Sequence, residues 1–234
     1  MMITNKKGTL KEPAININGT PLEACEQYKY LGVVIDKHLN WKPHVQYICN
    51  KVSRACGSIA NLRYCMNIDL LVEIFHALVH SYVRYGIMVW GNASDTTLQP
   101  LKHLVNRAVR IITFAPFGRV DLDPIYHYLK VLDVDKVFAL ETNKFMYKLK
   151  NNLIPVVVGN HFDTPNLSAP SHNYNLRTRN RVSYIVPRLI SSEKSIQVHG
   201  EKEWNDLPES LKNSASLKQF KKVMKGILLD SYNG

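Results

Sequence analysis

Apolar positions along the chain follow two different periods, and the change between them predicts the order of the elements. Early residues alternate apolar and polar side chains in short runs, such as Ala14–Thr20 with its Asn18-Gly19 turn, which is typical of a β-hairpin. The run Tyr28–Asp36 is rich in aromatic and β-branched residues and predicts another strand, in which Gly32 indicates a bulge or a close backbone approach. Beyond it, apolar residues recur every three to four positions, which predicts helices.

Helices are predicted for most of the remaining chain. Asn40 is placed to cap the first helix, which carries an apolar stripe as far as Leu62, and a second helix follows Asn67. A third starts near Pro100, since proline suits the first turn of a helix, and a fourth spans about Asp135–Lys150. The predicted fold class is therefore α+β and predominantly α-helical, with a small N-terminal antiparallel sheet followed by a helical bundle.

The predicted organisation has four parts. Prolines and a glycine interrupt the pattern over residues 151–170, which indicates an irregular linker. Further on, Ser216-Leu217-Lys218-Gln219 has the pattern of a capping box and predicts a last helix through Leu229. We therefore divide the chain into a β-hairpin region at 1–36, a helical domain at 37–150, the linker at 151–170 and a basic C-terminal section at 171–234.

Composition narrows the class of protein. Hydrophobic residues make up 45% of the 234 residues and charged residues 21%, so the chain can bury a core. The net charge is +11, and its basic excess is concentrated in residues 51–110 and 170–234. That charge predicts a polyanionic partner, RNA or DNA first and an acidic membrane surface second. With no membrane-spanning apolar run and no signal-like start, we expect an intracellular protein, either nuclear or cytoplasmic.

No cluster of metal-binding residues stands out in the sequence. The spacing of the four cysteines does not fit a zinc site, and Cys49 and Cys56 are expected to face the core. His76 and His80 have the i, i+4 spacing of zinc hydrolases, but Ala77 stands where those enzymes need a glutamate. We therefore expect packing histidines and predict that this chain has neither catalytic nor metal-binding residues.

Two pairs of carboxylates, Asp121 with Asp123 and Asp133 with Asp135, could serve a two-metal site if they lay on strands. Both pairs instead flank predicted helices, where aspartate commonly caps the helix N-terminus. Helix capping is therefore favoured over catalysis for these residues.

The clearest binding signal lies between Tyr174 and Tyr184. In an extended strand Arg177, Arg179 and Arg181 point to one side, where their guanidinium groups can bind phosphates. The flanking tyrosines can stack on unpaired bases. The alternative is a solvated edge strand whose arginines discourage pairing with another chain. Nucleic-acid contact is the favoured interpretation because of the charge of the whole chain.

A weaker signal lies on the third predicted helix. His103, Arg107 and Arg110 follow one another at i, i+4 and i+7, on the side away from the apolar stripe. Such a row is compatible with phosphate contact and with an ordinary solvent-exposed helix face.

Short blocks in a specific order give the chain a family resemblance. The blocks are Tyr28–Asp36, Leu39-Asn40-Trp41, His44, Tyr85-Gly86, Trp90-Gly91, Asn106–Ile112, Tyr174–Arg177, Trp204–Pro208 and Phe220-Lys221. In this order they resemble the C-terminal part of reverse transcriptases from non-LTR (LINE-type) retrotransposons, particularly the jockey-like and CR1-like groups. The resemblance extends over about residues 14–229.

The resemblance implies a nucleic-acid-handling chain without catalysis of its own. The intact family uses Mg²⁺ at palm aspartates, including a Phe/Tyr-Ala-Asp-Asp turn, and Ala-Asp-Asp does not occur in this sequence. Fingers, most of the palm and the N-terminal endonuclease are also missing by this comparison. We therefore predict a truncated, inactive polymerase fragment that needs no cofactor.

The resemblance also assigns positions to nucleic-acid contacts. Tyr30, Leu31 and Gly32 would lie in the hairpin that holds the primer end, within a palm end at 1–36. Helices between 41 and 113 would form a thumb-like bundle around an RNA or RNA/DNA template–primer. The alternative function is a non-enzymatic helical module derived from a retroelement, which binds nucleic acid or protein. A metal enzyme built on the two histidines ranks last.

Overall fold

The computed structural model describes residues 15–21, 23, 25–116, 118, 120–160, 162 and 196–233. Four short strands come first and helices follow, which confirms the predicted α+β, predominantly helical fold class. No helix within these ranges is both long enough and apolar enough to cross a membrane. The helices are α1 (Lys42–Leu62), α2 (Ile68–Phe75), a π-helical turn (His76–His80), α3 (Ser81–Arg84), α4 (Ile87–Trp90), α5 (Asp95–Thr113), α6 (Asp123–Leu129), α7 (Val134–Lys150), α8 (Val156–Gly159), α9 (Ile196–Asp206), α10 (Glu209–Lys212) and α11 (Leu217–Asp230).

The first hairpin forms where the sequence predicts it. Strands β1 (Asn16–Ile17) and β2 (Thr20–Pro21) pair antiparallel. Asn18 and Gly19 connect them with φ angles of 50° and 80°, the left-handed conformation that a two-residue hairpin turn of this kind requires.

A second, separate hairpin replaces the single bulged strand predicted over Tyr28–Asp36. Strands β3 (Gln27–Tyr30) and β4 (Val33–Asp36) pair antiparallel, with Tyr30 opposite Val33. Leu31 and Gly32 form the turn, with φ angles of 44° and 83°. Of the two alternatives for Gly32, the bulge was wrong, because leucine rarely adopts a positive φ and the pattern therefore lacks the usual Asn-Gly or Asp-Gly turn signal. The family resemblance did place Tyr30, Leu31 and Gly32 in a hairpin.

Helix α1 begins one residue later than its predicted cap implies. Its N-cap residue is Trp41, with a φ of 62°, and not Asn40. The buried carboxylate of Asp36 accepts the backbone N–H groups of Trp41 at 2.9 Å, Asn40 at 3.1 Å and His38 at 3.3 Å. A side chain from the end of β4 therefore organises the chain that leads into α1.

Helix α5 begins five residues before Pro100, where the sequence had placed its start. Ser94 is the N-cap and accepts the backbone N–H of Thr97 at 3.3 Å, while Asp95 lies in the first turn. Pro100 is inside the helix, where its missing N–H costs one backbone hydrogen bond. An N-cap serine followed by an aspartate in the first turn, Ser94-Asp95, was therefore a stronger signal for the start of this helix than Pro100. The caps at Asn67 for α2 and Ser216 for α11 agree with the prediction.

The described residues divide into two compact units. The first comprises the described parts of Met1–Gly86 and Ala93–Val120, and the second those of Ile87–Asn92 and Asp121–Gly234. The predicted helical domain at 37–150 therefore contributes to both units. The assignment of residues 1–36, 37–150, 151–170 and 171–234 to functional regions stays a prediction, and α8 lies within the predicted linker.

The core of the first unit is the packing of α1 against α5. Side chains spaced three or four residues apart on both helices are buried, which is the arrangement that the apolar stripe predicts. Cys49 and Cys56 belong to this core, as expected, and burial raises the pKa of both thiols. They act as small apolar residues, whereas Cys25 and Cys65 are exposed; none of these four forms a disulfide.

Helix α7 is central to the second unit and packs against α9 and α11. The Phe220 ring is fully buried, with its centroid 4.7 Å from that of Tyr147 and 5.9 Å from that of Trp204. Gly200 allows α9 to approach α7, because a Cβ atom there would lie 2.9 Å from the Met146 sulfur. The second unit thus rests on an aromatic core.

We predict that Asp36→Ala lowers the free energy of unfolding by about 2–3 kcal/mol, because three backbone N–H groups lose a charged acceptor. Asp36→Asn, which keeps one acceptor oxygen, should lose less. Urea unfolding followed by circular dichroism measures both values. Glu73→Ala, at an exposed carboxylate of the same unit, is the control and should change stability by less than about 0.5 kcal/mol. Equal effects of Asp36→Ala and Glu73→Ala would contradict the assigned role.

Candidate nucleic-acid interface

The tip of the β3–β4 hairpin is exposed and held from one side. Tyr30 is 59% exposed and Leu31 is 73% exposed. The hydroxyl of Tyr85 donates to the Leu31 carbonyl at 2.5 Å. Gly32 is needed beside it, since its φ is +83° and a Cβ atom would lie 3.1 Å from the Tyr85 ring. The three residues that the family resemblance singles out therefore form one fixed, outward-facing tip.

A neutral histidine fixes the hairpin to α1. The backbone N–H of Val34 donates to His44 Nδ1 at 3.2 Å, so this nitrogen carries no proton. Burial, and then the positive charge of Lys29, lower the pKa of His44 to about 4. The imidazole is therefore uncharged at neutral pH and serves as a hydrogen-bond acceptor inside the fold.

Two lysines lie beside tyrosine rings near this hairpin. Lys29 Nζ lies 4.6 Å from the centroid of the Tyr47 ring and donates to the Tyr47 hydroxyl at 3.4 Å. Lys51 Nζ lies 5.7 Å from the same ring and 5.9 Å from the ring of Tyr82. The sequence interpretation missed this group. Its one available signal was the i, i+4 spacing of Tyr47 and Lys51.

The basic residues predicted on α5 differ in their surroundings. Arg107 is exposed, as is His103, whose Nε2 lies 3.0 Å from Gln99 Nε2. Arg110 instead donates to the carbonyls of Pro116 at 2.6 Å, Gly118 at 3.1 Å and Val120 at 3.3 Å. Its guanidinium holds the chain that follows α5, which a periodic pattern cannot reveal.

The strongest candidates from the sequence lie outside the described residues. They are Tyr174, Arg177, Arg179 and Arg181. Their contact with nucleic acid stays a prediction.

The histidine pair has the features of packing residues. His80 is buried, and its ring centroid lies 4.6 Å from that of Phe75. Its Nδ1 lies 3.0 Å from Nδ1 of His76, which is exposed. In the part of the chain that the structure describes, no group of three or more His, Cys, Asp or Glu side chains could hold a metal ion.

The prediction of helix capping is confirmed for Asp133, whereas Asp121 and Asp123 lie at the start of α6, whose N-cap residue is Leu122 and has no side-chain cap hydrogen bond. Asp133 is the N-cap of α7 and accepts the backbone N–H of Lys136 at 2.8 Å. It also accepts the hydroxyl of Tyr232 at 2.9 Å. Asp121 accepts the backbone N–H of Asp123 at 3.0 Å, at the start of α6.

Comparison with known proteins gives the class to which the relatives of this chain belong. They are RNA-directed DNA polymerases of mobile elements, of the jockey type and other non-LTR retrotransposons, which confirms the resemblance. No protein-family model and no solved structure matches the chain.

Two relatives show the extent of the similarity. The probable RNA-directed DNA polymerase from transposon BS of Drosophila melanogaster is 26% identical over 141 residues, which is 59% of this chain and 16% of the relative. The RNA-directed DNA polymerase from mobile element jockey of Drosophila funebris is 30% identical over 108 residues, which is 45% of this chain and 12% of the relative. The chain therefore spans between 12% and 16% of the lengths of these two curated relatives.

The lowered pKa of His44 predicts a loss of stability in acid. Between the ordinary pKa of 6.5 and the folded-state pKa of about 4, the unfolded chain binds a proton that the folded chain does not. The free energy of unfolding therefore falls as the pH drops through this window, by about 2–3 kcal/mol from this group.

Urea unfolding at pH 7, 5.5 and 4 measures the effect. His44→Gln keeps an acceptor but cannot be protonated, so its stability should lose less across the window than that of the wild type. His103→Gln, at an exposed position on α5, should follow the wild type. Parallel curves for the wild type and His44→Gln would contradict the role of the neutral imidazole.

Proposed function

We propose that this chain binds the template–primer of a jockey-type RNA-directed DNA polymerase and does not polymerise by itself. The observation that carries the proposal is the class of its relatives, which are RNA-directed DNA polymerases of mobile elements. Within that class the chain would correspond to the palm end, the thumb and the C-terminal section.

The hairpin tip supports this proposal. Tyr30 and Leu31 are exposed, and Gly32, which the Tyr85 ring flanks, adds no side chain of its own to the turn. A nucleic-acid strand can approach such a backbone closely. In the proposed function this tip contacts the primer end.

The charge of the chain supports phosphate contact by the helices. The net charge is +11, and Lys51 and Arg107 lie on the outer sides of α1 and α5. Lysine and arginine side chains supply most of the sequence-independent affinity of proteins for nucleic acids. Arg110 contributes less to this surface, since it is bonded to backbone carbonyls.

The proposed lack of catalysis rests on the sequence. Ala-Asp-Asp is absent, and no two aspartates are adjacent anywhere in the chain. Asp36, Asp121 and Asp133 each accept backbone N–H hydrogen bonds, which is a structural use of their carboxylates. Magnesium chemistry would therefore come from palm aspartates of an intact polymerase, with this chain holding the substrate strand.

We expect the affinity for a labelled RNA/DNA template–primer to fall steeply with salt, as fluorescence anisotropy at several salt concentrations would show. Replacing Arg177, Arg179 and Arg181 by Gln should weaken binding and reduce the slope of log affinity against log salt by about 2–3. The matched control replaces Lys218, Lys221 and Lys222 by Gln, which removes the same charge from exposed positions of α11. Equal losses for the two triple variants would count against a specific role of the arginines.

A primer-extension assay tests the proposal that the chain does not polymerise by itself. Purified chain with a primed RNA template, deoxynucleotides and either Mg²⁺ or Mn²⁺ should give no product longer than the primer. A full-length reverse transcriptase under the same conditions is the positive control. Any extension by the chain would overturn the proposed lack of catalysis while leaving the binding proposal in place.

A second candidate function is a protein-interaction module. A short apolar segment of the second unit supports it, since Leu153, Val156 and Val157 are 58%, 76% and 74% exposed. Exposed apolar patches commonly mark contact sites for other proteins. An RNA affinity that responds neither to salt nor to the arginine substitutions would favour this function over the first.

A further inference from the structure

A cleft of about 350 Å³ lies beside the β3–β4 hairpin, within the first unit. Gly32 at the hairpin tip contributes to its lining. The side chains that matter for its chemistry are contributed by α1, by α3 and by the residue that follows α3, and they are Tyr47, Ser81, Tyr82 and Tyr85. A volume of this size is within the range of sites that hold small organic ligands.

The walls of the cleft suit a flat aromatic group. Tyr47 is half-buried, Tyr82 is 36% exposed and Tyr85 is 56% exposed, so each of the three side chains keeps surface that is open to solvent. Tyrosine rings stack on nucleobases with little dependence on base identity. Ser81 donates its hydroxyl proton to the Ala77 carbonyl, which leaves the hydroxyl oxygen as an acceptor for a base N–H.

The charges around the cleft favour an anionic occupant. Lys29 and Lys51 both lie within 6 Å of the Tyr47 ring centroid, and Lys51 is equally close to the Tyr82 ring. Among the described residues that line the cleft there is no carboxylate. A nucleotide combines a stacking base with a phosphate, so it matches both features where a neutral aromatic compound would match only one.

The backbone around the cleft is fixed on two sides. The π-helical turn His76–His80 directly precedes Ser81, and π turns inside helices are frequent at functional sites. On the other side, Tyr85 holds the Leu31 carbonyl, and the buried Ile48 side chain also lines the cleft. The tyrosines are therefore presented by rigid elements, which lowers the cost of ordering them on binding.

We propose that this cleft binds one unpaired nucleobase of a single-stranded nucleic acid, stacked on Tyr47 and Tyr82, with Lys29 and Lys51 at the adjoining phosphates. The inference rests on the proposed function and adds a second place of contact to it. The hairpin tip would hold the end of a paired primer, whereas the cleft would take a base that lies outside the duplex.

The test uses a short single-stranded RNA that carries one 2-aminopurine base and a fluorescein at its end. Anisotropy of the fluorescein reports total binding, and 2-aminopurine fluorescence reports stacking of that base. With the wild-type chain we expect 2-aminopurine quenching that saturates together with binding. Tyr47→Leu and Tyr82→Leu should abolish the quenching and weaken binding by about fivefold to about a hundredfold, the range measured for losing one stacked base.

Matched variants separate stacking from folding. Tyr47→Phe and Tyr82→Phe keep the ring faces and should keep the quenching. Tyr128→Leu removes a tyrosine that is 65% exposed in the second unit and should leave both signals unchanged. Lys51→Gln should weaken binding and reduce its salt dependence without removing the quenching.

The outcomes distinguish this inference from the proposed function. RNA binding with a steep salt dependence but without 2-aminopurine quenching would overturn the proposed base site in the cleft and leave the proposed function standing. Equal quenching by the wild type and the leucine variants would have the same consequence. Absence of RNA binding altogether would overturn both. Displacement of the RNA base by an equal concentration of adenosine monophosphate would identify a free nucleotide as the occupant and overturn the assignment to a strand.

Discussion

The attachment of the β3–β4 hairpin to α1 is the constraint on which the candidate interface depends. An isolated two-stranded hairpin is at best marginally stable in water, so its orientation must come from the helices around it. Two buried side chains supply that attachment. The Asp36 carboxylate accepts the N–H groups that lead into α1, and His44 on α1 accepts the N–H of Val34 on β4. The direction of the exposed tip follows from these few hydrogen bonds.

This attachment also determines the electrostatics of the surface above it. A charged imidazole at His44 would repel Lys29, so burial and the lysine together keep the histidine neutral. Lys29 can then remain beside Tyr47, where it adds to the positive charge near the cleft. Arg110 differs from Lys29, because its guanidinium donates hydrogen bonds to backbone carbonyls of the same chain. The net charge therefore indicates the kind of partner. The hydrogen bonds of each basic side chain decide whether that side chain can contact the partner.

The sequence correctly predicted those features of the fold that depend on residues close to one another along the chain. The apolar stripes of α1 and α5, and the caps at Asn67, Asp133 and Ser216, depend on residues within a turn or two of each other. The start of α1 depends on Asp36, a side chain from the preceding strand, and was therefore misplaced. The residue pattern missed the Leu31-Gly32 turn, which the family resemblance placed in a hairpin, because tertiary contacts, including the Tyr85 hydroxyl, stabilise a conformation that leucine rarely adopts. The cleft was beyond any periodic pattern, since its walls come from three separate segments.

The hairpin, the cleft and the side chains that hold them in place all lie in one unit. Asp36, His44 and Tyr85, which fix the hairpin, belong to the same unit as the tip and the cleft. The hydrogen bonds that hold the hairpin, from Trp41 to Asp36, from Val34 to His44 and from Tyr85 to Leu31, each join two residues of that unit. In the proposed function, the contacts that this unit makes to a template–primer come from the hairpin, α1, α3 and α5, and none of these contacts uses a metal ion. In the proposed function, this unit holds a strand end in a defined orientation, and the extension of that strand needs the Ala-Asp-Asp turn that does not occur in this sequence.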